Sequence, residues 1–199
     1  MTCVGPRIAP LLLISATLFA QGPDTKMFGV KSLSTVSAKD LAQKTPGAAR
    51  RELNQGLRAL RKGRNDQAVS HLAEAARLDP ASVEVLADLA VAYALTGELS
   101  RALDHFEKAL ALDPEREVLY EDKANILILL DRFGEAEPVA REALRRAPYS
   151  INANYALGMS LIKRGLVTPE AVACIKLAAA NDARAQPVWE WVQSYLKSR

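Results

Sequence analysis

The sequence has few aromatic residues, few cysteines and few histidines, and each shortage excludes a class of protein. Phe, Trp and Tyr make up 6% of the 199 residues, so a core must be built from aliphatic side chains. Cys3 and Cys174 are too few for a disulfide framework. Neither a Cys-x-x-Cys nor a His-Glu-x-x-His motif occurs around these cysteines or around His71 and His105, so we expect no metal and no cofactor.

Catalytic motifs and a continuous basic track are also missing. There is no glycine-rich phosphate loop and no Gly-x-Ser-x-Gly, which favours a non-enzymatic protein. Residues 49–82 carry a net charge of +3, whereas residues 83–116 carry −4 and residues 117–150 carry −2. Because phosphate backbones require contiguous basic surface, this acidic centre argues against a nucleic-acid partner.

No apolar run is long enough for a comfortable membrane span. The run from Ile8 to Ala20 has 13 residues, against about 20 for a transmembrane helix. It follows Arg7 and ends at a plausible cleavage point, Ala20-Gln21, which predicts a signal peptide over residues 1–20. We therefore expect an exported protein, periplasmic or secreted, with no stable membrane span after cleavage; an uncleaved anchor is the alternative. Residues 21–45 are rich in Gly, Pro, Ser, Thr and Lys and are predicted to be a flexible linker.

What the chain does contain is a period of 34 residues. Pro80, Pro114 and Pro148 follow one another at this spacing. Small residues share the same period in three columns, which are Ala68, Ala102 and Ala136; Ala75, Ala109 and Ala143; and Gly56, Ala90, Ala124 and Gly158. Small residues mark the closest approach of two helices, and proline ends a helix, so the period predicts repeated helix pairs.

At these residues the chain resembles the tetratricopeptide-repeat family. The segment "LADLAVAYALTGELSRALDHFEKALALDP" (86–114) carries the resemblance, with Leu89, Tyr93, Ala102, Phe106 and Pro114 at signature positions. The resemblance implies an all-α fold, an α-solenoid of stacked antiparallel helix pairs with about 3.5 units over residues 46–182. Residues 183–199 are predicted to form a capping helix, with an apolar stripe that includes Val188, Val192 and Leu196.

The resemblance also implies a function and a site. First helices of such units line a concave groove that holds a peptide or helix, so we expect a non-enzymatic interaction scaffold or adaptor of the cell envelope with a protein or peptide partner. A self-assembling structural protein and a regulatory subunit of an envelope enzyme complex are the alternatives. The groove-facing residues are expected to be Leu53, Leu57, Glu84, Ala87, Val91, Glu121, Asn125, Ile128, Tyr155 and Met159.

Two further expectations concern side chains of this groove and of the second helices. The lysine and asparagine with which one branch of the family clamps a C-terminal carboxylate are replaced by Leu53 and Leu57, so no such clamp is expected. An apolar groove with acidic spots at Glu84 and Glu121 would suit an amphipathic segment that carries Lys or Arg. His71 and His105 occupy one slot of successive second helices, and we expect both to face solvent.

Overall fold

The computed structural model describes residues 46–198, and its regular structure there is entirely helical. The predicted signal peptide (1–20) and linker (21–45) lie outside the described residues. The helices are α1 (Gly47–Arg61), α2 (Asn65–Leu78), α3 (Val83–Leu95), α4 (Leu99–Leu112), α5 (Glu117–Leu129), α6 (Phe133–Arg146), α7 (Ile151–Lys163), α8 (Pro169–Ala179) and α9 (Gln186–Lys197), with a 3-10 turn at Ala183–Ala185 before α9.

The helices pack as four antiparallel pairs in chain order. Helices α1 and α2 form unit 1, α3 and α4 unit 2, α5 and α6 unit 3, and α7 and α8 unit 4. Each second helix also packs against the first helix of the next unit, and α9 packs on α8 and the 3-10 turn. The predicted all-α solenoid of stacked pairs with a C-terminal helix is confirmed. Because one pair alone leaves an apolar face uncovered, the stack supplies the core.

The 34-residue period sets where the helices begin and end. Helices α3, α5 and α7 begin at Val83, Glu117 and Ile151, and each follows one of the periodic prolines. Ser82 and Ser150 cap two of these helices, because the hydroxyl oxygens accept hydrogen bonds from backbone N–H groups three residues on, at 3.4 and 3.1 Å. A serine at this position satisfies one of the unpaired N–H groups of a helix start.

The turn inside each unit requires a residue with positive φ. Gly63, Gly97 and Gly165 take it in units 1, 2 and 4 with φ of 67°, 84° and 80°, as their positions after first helices predict. In unit 3 the same turn is made by Asp131, with φ of 56°. Aspartate tolerates this conformation better than most residues, so the turn persists without glycine.

The capping helix α9 follows the predicted stripe over its first half only. Val188 and Val192 are 1% and 0% exposed, whereas Leu196 is 48% exposed, so its inclusion in the buried stripe is wrong. Trp191 is half-buried against the core, and its ring stacks on that of Tyr195 with the centroids 5.3 Å apart. The packing against α8 and the 3-10 turn therefore ends before the last turn of α9.

No helix within residues 46–198 combines the length and apolar character that crossing a bilayer requires.

Candidate functional site

The ten residues predicted to line the groove all lie on first helices, and most of them are buried. We call the surface that they form the first-helix face. Three of them, Glu84, Ala87 and Glu121, are half-buried. The other seven are at most 7% exposed: Leu53, Leu57, Val91, Asn125, Ile128, Tyr155 and Met159. The part of this face that meets solvent is thus narrower than the sequence pattern indicates.

Glu84, one of the two expected acidic spots, is engaged by an arginine of the next unit. Arg116 lies just before α5 and approaches Glu84 to 3.2 Å and Asp113 to 3.0 Å. The hydroxyl of Ser82 donates to a Glu84 carboxylate oxygen at 3.2 Å. Arg116 thus bridges units 2 and 3 and offsets the negative charge of Glu84.

Glu121, the other acidic spot, occupies in unit 3 the slot that Ala87 occupies in unit 2. Burial raises the pKa of the Glu121 carboxyl, hydrogen bonds from Ser150 and Asn152 lower it, and the nearby Glu117 carboxylate raises it again. Its partners lie at the start of unit 4, so the carboxylate joins two first helices. A half-buried carboxylate of this kind can accept a further hydrogen bond from a ligand.

Tyr155 is held by a polar network at the end of the array. Arg184 lies over the Tyr155 ring, with its guanidinium carbon 5.1 Å from the ring centroid. The same guanidinium donates to Asn152 at 2.8 Å and to Asp182 at 2.7 Å. Tyr155 is therefore a packed residue of unit 4, and burial raises the pKa of its hydroxyl.

Two buried carboxyl groups lie on α3 and α5, and neither is among the ten predicted groove residues. Asp88 and Asp122 are 34 residues apart, so they fill one slot of α3 and α5, and they are 2% and 4% exposed. Burial raises the pKa of each to about 8; Glu84 and Asp122 add to the effect at Asp88, and Glu121 adds to it at Asp122. Both are therefore mostly protonated at neutral pH, and the 34-residue period could have identified the pair.

Unsatisfied polar atoms lie beside this pair. Asn125 is 0% exposed, and neither its side-chain nitrogen nor its oxygen has a hydrogen-bond partner among the described residues. One carboxyl oxygen of Asp88, Oδ2, is likewise buried without a partner. Such groups are uncommon in folded proteins. They mark the middle of the first-helix face as its most polar buried region.

His71, His105 and Cys174 are all at least partly buried. His71 is held by Glu52 at 2.8 Å, and the half-buried His105 stacks on Tyr93 with centroids 5.4 Å apart. The expectation that both face solvent is wrong for His105, which is half-buried against Tyr93, whereas the His71 side chain remains 36% exposed beside Glu52. Burial lowers the pKa of His105 and raises that of the Cys174 thiol, which keeps the thiol protonated and unreactive.

Within the described part of the chain, no group of three or more His, Cys, Asp or Glu side chains is arranged to hold a metal ion. What the first-helix face can offer a ligand is hydrogen bonding, charge and apolar contact.

Comparison with known proteins agrees with the packing. The family model for the tetratricopeptide repeat matches residues 53–117. The anaphase-promoting complex subunit 3 of Schizosaccharomyces pombe is 30% identical over 103 residues, which cover 52% of this chain and 16% of that protein. Cellulose synthase operon protein C of Escherichia coli K12 is 38% identical over 79 residues, 40% of this chain and 7% of that protein. The chain thus spans only a small part of these relatives.

Solved structures with the same fold cover most of the chain. MamA from Desulfovibrio magneticus RS-1, residues 41 to the end, superposes with a TM-score of 0.65 at 22% identity, over 77% of this chain and 94% of that one. YrrB, described as a TPR protein with an unusual peptide-binding site, gives a TM-score of 0.63 at 21% identity, over 81% and 84%. At these identities the likeness establishes the fold. Together with the family-model match over residues 53–117 and the helix-pair packing, it shows that the described residues form a solenoid of the tetratricopeptide-repeat type.

Proposed function

We propose that the protein is a non-enzymatic scaffold or adaptor that binds a peptide or helix of a partner protein on the first-helix face. The fold is one whose members serve as protein-interaction scaffolds. The observation that carries the proposal is the partial exposure of Glu84, Ala87 and Glu121 on the first helices of two successive units. The peptide-binding site named for YrrB supports the same kind of function here.

The chemistry of these three residues defines the partner segment. Ala87 leaves room for an apolar side chain between the two carboxylates. Glu84 is already paired with Arg116, whereas the hydrogen-bond donors to Glu121 among residues 46–198 are the neutral side chains of Ser150 and Asn152. A Lys or Arg of the partner would add the missing positive charge at Glu121, and such a complementary pair favours both specificity and rapid association. We therefore propose an amphipathic segment with a basic residue placed against Glu121.

Site-specific photo-crosslinking tests this proposal. A photoreactive residue at Ala87 is expected to capture a partner in the native cell, and the crosslinked peptide is expected to carry Lys or Arg. The same residue at Ala111, exposed on α4, is the matched control and should capture nothing at that frequency. Both variants should keep the thermal midpoint of the parent. Equal capture from both positions, or a captured peptide without a basic residue, would contradict the proposal.

Substitution of the predicted groove residues that are buried would not test binding alone. Leu57 and Tyr155 are 7% and 4% exposed, so Leu57→Glu or Tyr155→Ala would disrupt packing along with any binding.

We also propose that the protein works outside the cytoplasm, in the cell envelope. The support is the order of a basic residue, a 13-residue apolar run and the small residue Ala20 in residues 7–20. Intact-mass analysis of the protein purified from its native host is expected to give a chain that begins at Gln21. A chain that still contains residues 8–20 and extracts only with detergent would indicate the uncleaved anchor instead.

Self-assembly is the second candidate function, and the large exposed apolar side chains favour it to a limited degree. Tyr149 is 86% exposed, and Leu112 and Leu196 are each 48% exposed. Isolated exposed apolar residues are ordinary on protein surfaces. Light scattering separates the two functions, because an adaptor should be monomeric where a self-assembling protein forms oligomers.

A further inference from the structure

A shallow pocket of about 180 Å³ lies at the turn between α1 and α2, and none of the ten residues of the first-helix face belongs to its lining. Within the part of the chain that the structure describes, no carboxylate belongs to this lining. The side chains that form it are Gln55, Arg58, Ala59, Lys62, Arg64, Gln67 and His71. Arg58, Lys62 and Arg64 are exposed at its mouth, so three permanent positive charges converge on one small volume.

At the same turn in units 2 and 3, the charged side chain forms an ion pair with a residue three positions away. The turn of unit 1 lacks such a pair. In unit 2, Glu98 pairs with Arg101 at 2.7 Å, and in unit 3, Arg132 pairs with Glu135 at 2.6 Å. The corresponding residues of unit 1 are Arg64 and Gln67, an arginine and an uncharged amide. Unit 1 therefore keeps the cation and lacks the carboxylate that would neutralise it.

No carboxylate among residues 46–198 pairs with Arg58, Lys62 or Arg64. The negative end of the α1 dipole accounts for a cation at Arg58, in the last turn of that helix. It does not account for Arg64, which is the N-cap residue of α2 and so lies at the positive end of that helix. Arg64 thus stands against this dipole, while Arg58 and Lys62 lie at the C-terminal end of α1, and the three positive charges together favour an external anion as the counter-charge.

The exposed side of α1 extends the positive field toward the pocket. At 100° per residue, Arg50, Arg51, Arg58, Arg61 and Lys62 fall within an arc of about 120°. The one carboxylate of α1, Glu52, lies outside this arc and is held by His71 at 2.8 Å. A stripe of one sign beside a concave surface raises the local concentration of anions.

The size and donor set of the pocket select the anion. Pockets for drug-sized ligands measure roughly 300–1,000 Å³, so 180 Å³ suits a single group rather than a whole large molecule. Guanidinium groups donate paired N–H groups that match phosphate oxygens, and the lysine adds a point charge. We propose that Arg58, Lys62 and Arg64 form a binding site for a phosphate group, carried by a free phosphate compound or by a lipid headgroup.

Titration with inorganic phosphate at constant ionic strength tests the free source. The Nε–H signals of Arg58 and Arg64 are expected to shift in a saturable manner in NMR spectra of the protein. Replacement of Arg58, Lys62 and Arg64 by Gln is expected to weaken phosphate binding at least tenfold. Because all three side chains are exposed, this variant should keep the helicity and the thermal midpoint of the parent.

A charge-matched variant is the control. Lys108, Lys176 and Lys197 are exposed on α4, α8 and α9, so their replacement by Gln removes the same net charge from other places. This control variant is expected to bind phosphate as the parent does. An equal loss of phosphate affinity in both triple variants would mean that net charge alone determines the binding, and this result would overturn the proposal.

Vesicle co-sedimentation tests the lipid source, with neutral phosphatidylcholine vesicles compared with vesicles that also contain phosphatidylglycerol. Binding to the anionic vesicles that the pocket variant loses and the charge-matched variant keeps would assign the site to a headgroup. Saturable binding of inorganic phosphate with the same dependence on the variants, and no vesicle binding, would assign it to a free phosphate compound. Absence of both kinds of binding would overturn the proposal.

Discussion

Replacement of Asp88 by Asn is expected to stabilise the protein at pH 8 and to leave its stability almost unchanged near pH 4. Asp88 is 2% exposed, and burial, aided by the Glu84 and Asp122 carboxylates, raises its pKa from 3.8 to about 8; Arg116 and Arg61 oppose that rise. The amide of Asn has nearly the shape of the protonated carboxyl and cannot ionise. The substitution should therefore remove an ionisation penalty and little else.

The direction of the pH dependence follows from the raised pKa. Below pH 3.8 the Asp88 carboxyl is protonated in both the folded and the unfolded chain, so it imposes no ionisation penalty on the free energy of unfolding. As pH rises from there toward 8, the unfolded chain releases the proton while the folded chain retains it, and the free energy of unfolding falls. Since a tenfold difference in proton affinity corresponds to about 1.4 kcal/mol, the advantage of Asn at pH 8 should be on the order of a few kcal/mol.

Thermal and urea denaturation of the parent and of Asp88→Asn between pH 4 and pH 9 measures this effect. Asp122→Asn should behave in the same way, because Asp122 also has a pKa of about 8, raised by burial and by Glu121. Asp104→Asn is the control, since Asp104 is exposed on α4 and its removal should not produce a stability difference that grows with pH. A parallel pH profile for Asp88→Asn and the parent would refute the assignment of a buried, protonated carboxyl.

The fold was predictable because the features that define it repeat within single units. The periodic prolines, the glycines of the turns and the small-residue columns are local properties that the sequence displays directly. The turn at Asp131 has the same geometry as those of Gly63 and Gly97 but contains no glycine, so there the period alone indicates the turn and not the residue that takes positive φ.

The candidate site was less predictable because it depends on contacts between units. The slot of Glu84 is readable from the period, but its pairing with Arg116, 32 residues on, depends on how far a long side chain reaches across the stack. The burial of Leu57 and Tyr155 likewise depends on neighbouring helices. The helical period shows on which side of the helix a residue lies, but it does not show how much of its side chain the neighbouring helices cover. The period does reveal that Asp88 and Asp122 share a slot. Because aspartate is charged in water, the sequence predicts that both side chains face solvent, whereas the packing buries them.

Replacement of Gly158 by Ala is expected to destabilise unit 4 by about 1–3 kcal/mol, despite the better helix propensity of Ala. A Cβ atom at Gly158 would lie 2.6 Å from Cγ1 and 2.7 Å from Cδ1 of Ile175, and 3.2 Å from the Ile175 backbone nitrogen. The side chain could turn away only in part, and the backbone of α8 could not. In units 2 and 3 the same slot holds Ala90 and Ala124. Glycine is therefore required in unit 4 because Ile175 packs against this position, and not because the repeat itself requires it.

A double-mutant cycle with Ile175→Ala separates this clash from a general effect on helix α7. Ile175→Ala alone should cost about 2–5 kcal/mol through the cavity it leaves. In the double variant the new Cβ would occupy part of that cavity, so the combined loss should be smaller than the sum of the two single losses by about 1 kcal/mol or more.

Urea denaturation followed by tryptophan fluorescence measures the cycle at the right end of the array, because Trp189 and Trp191 both lie in α9. Gly134→Ala is the matched control, since no atom lies within 4 Å of a Cβ at this exposed position of α6, and it should be neutral or slightly stabilising. Additive losses in the cycle, or a Gly158→Ala variant as stable as the parent, would mean that α7 and α8 are not in contact at Gly158 and Ile175. The stacking of unit 4 on which the solenoid depends would then have to differ from the one described.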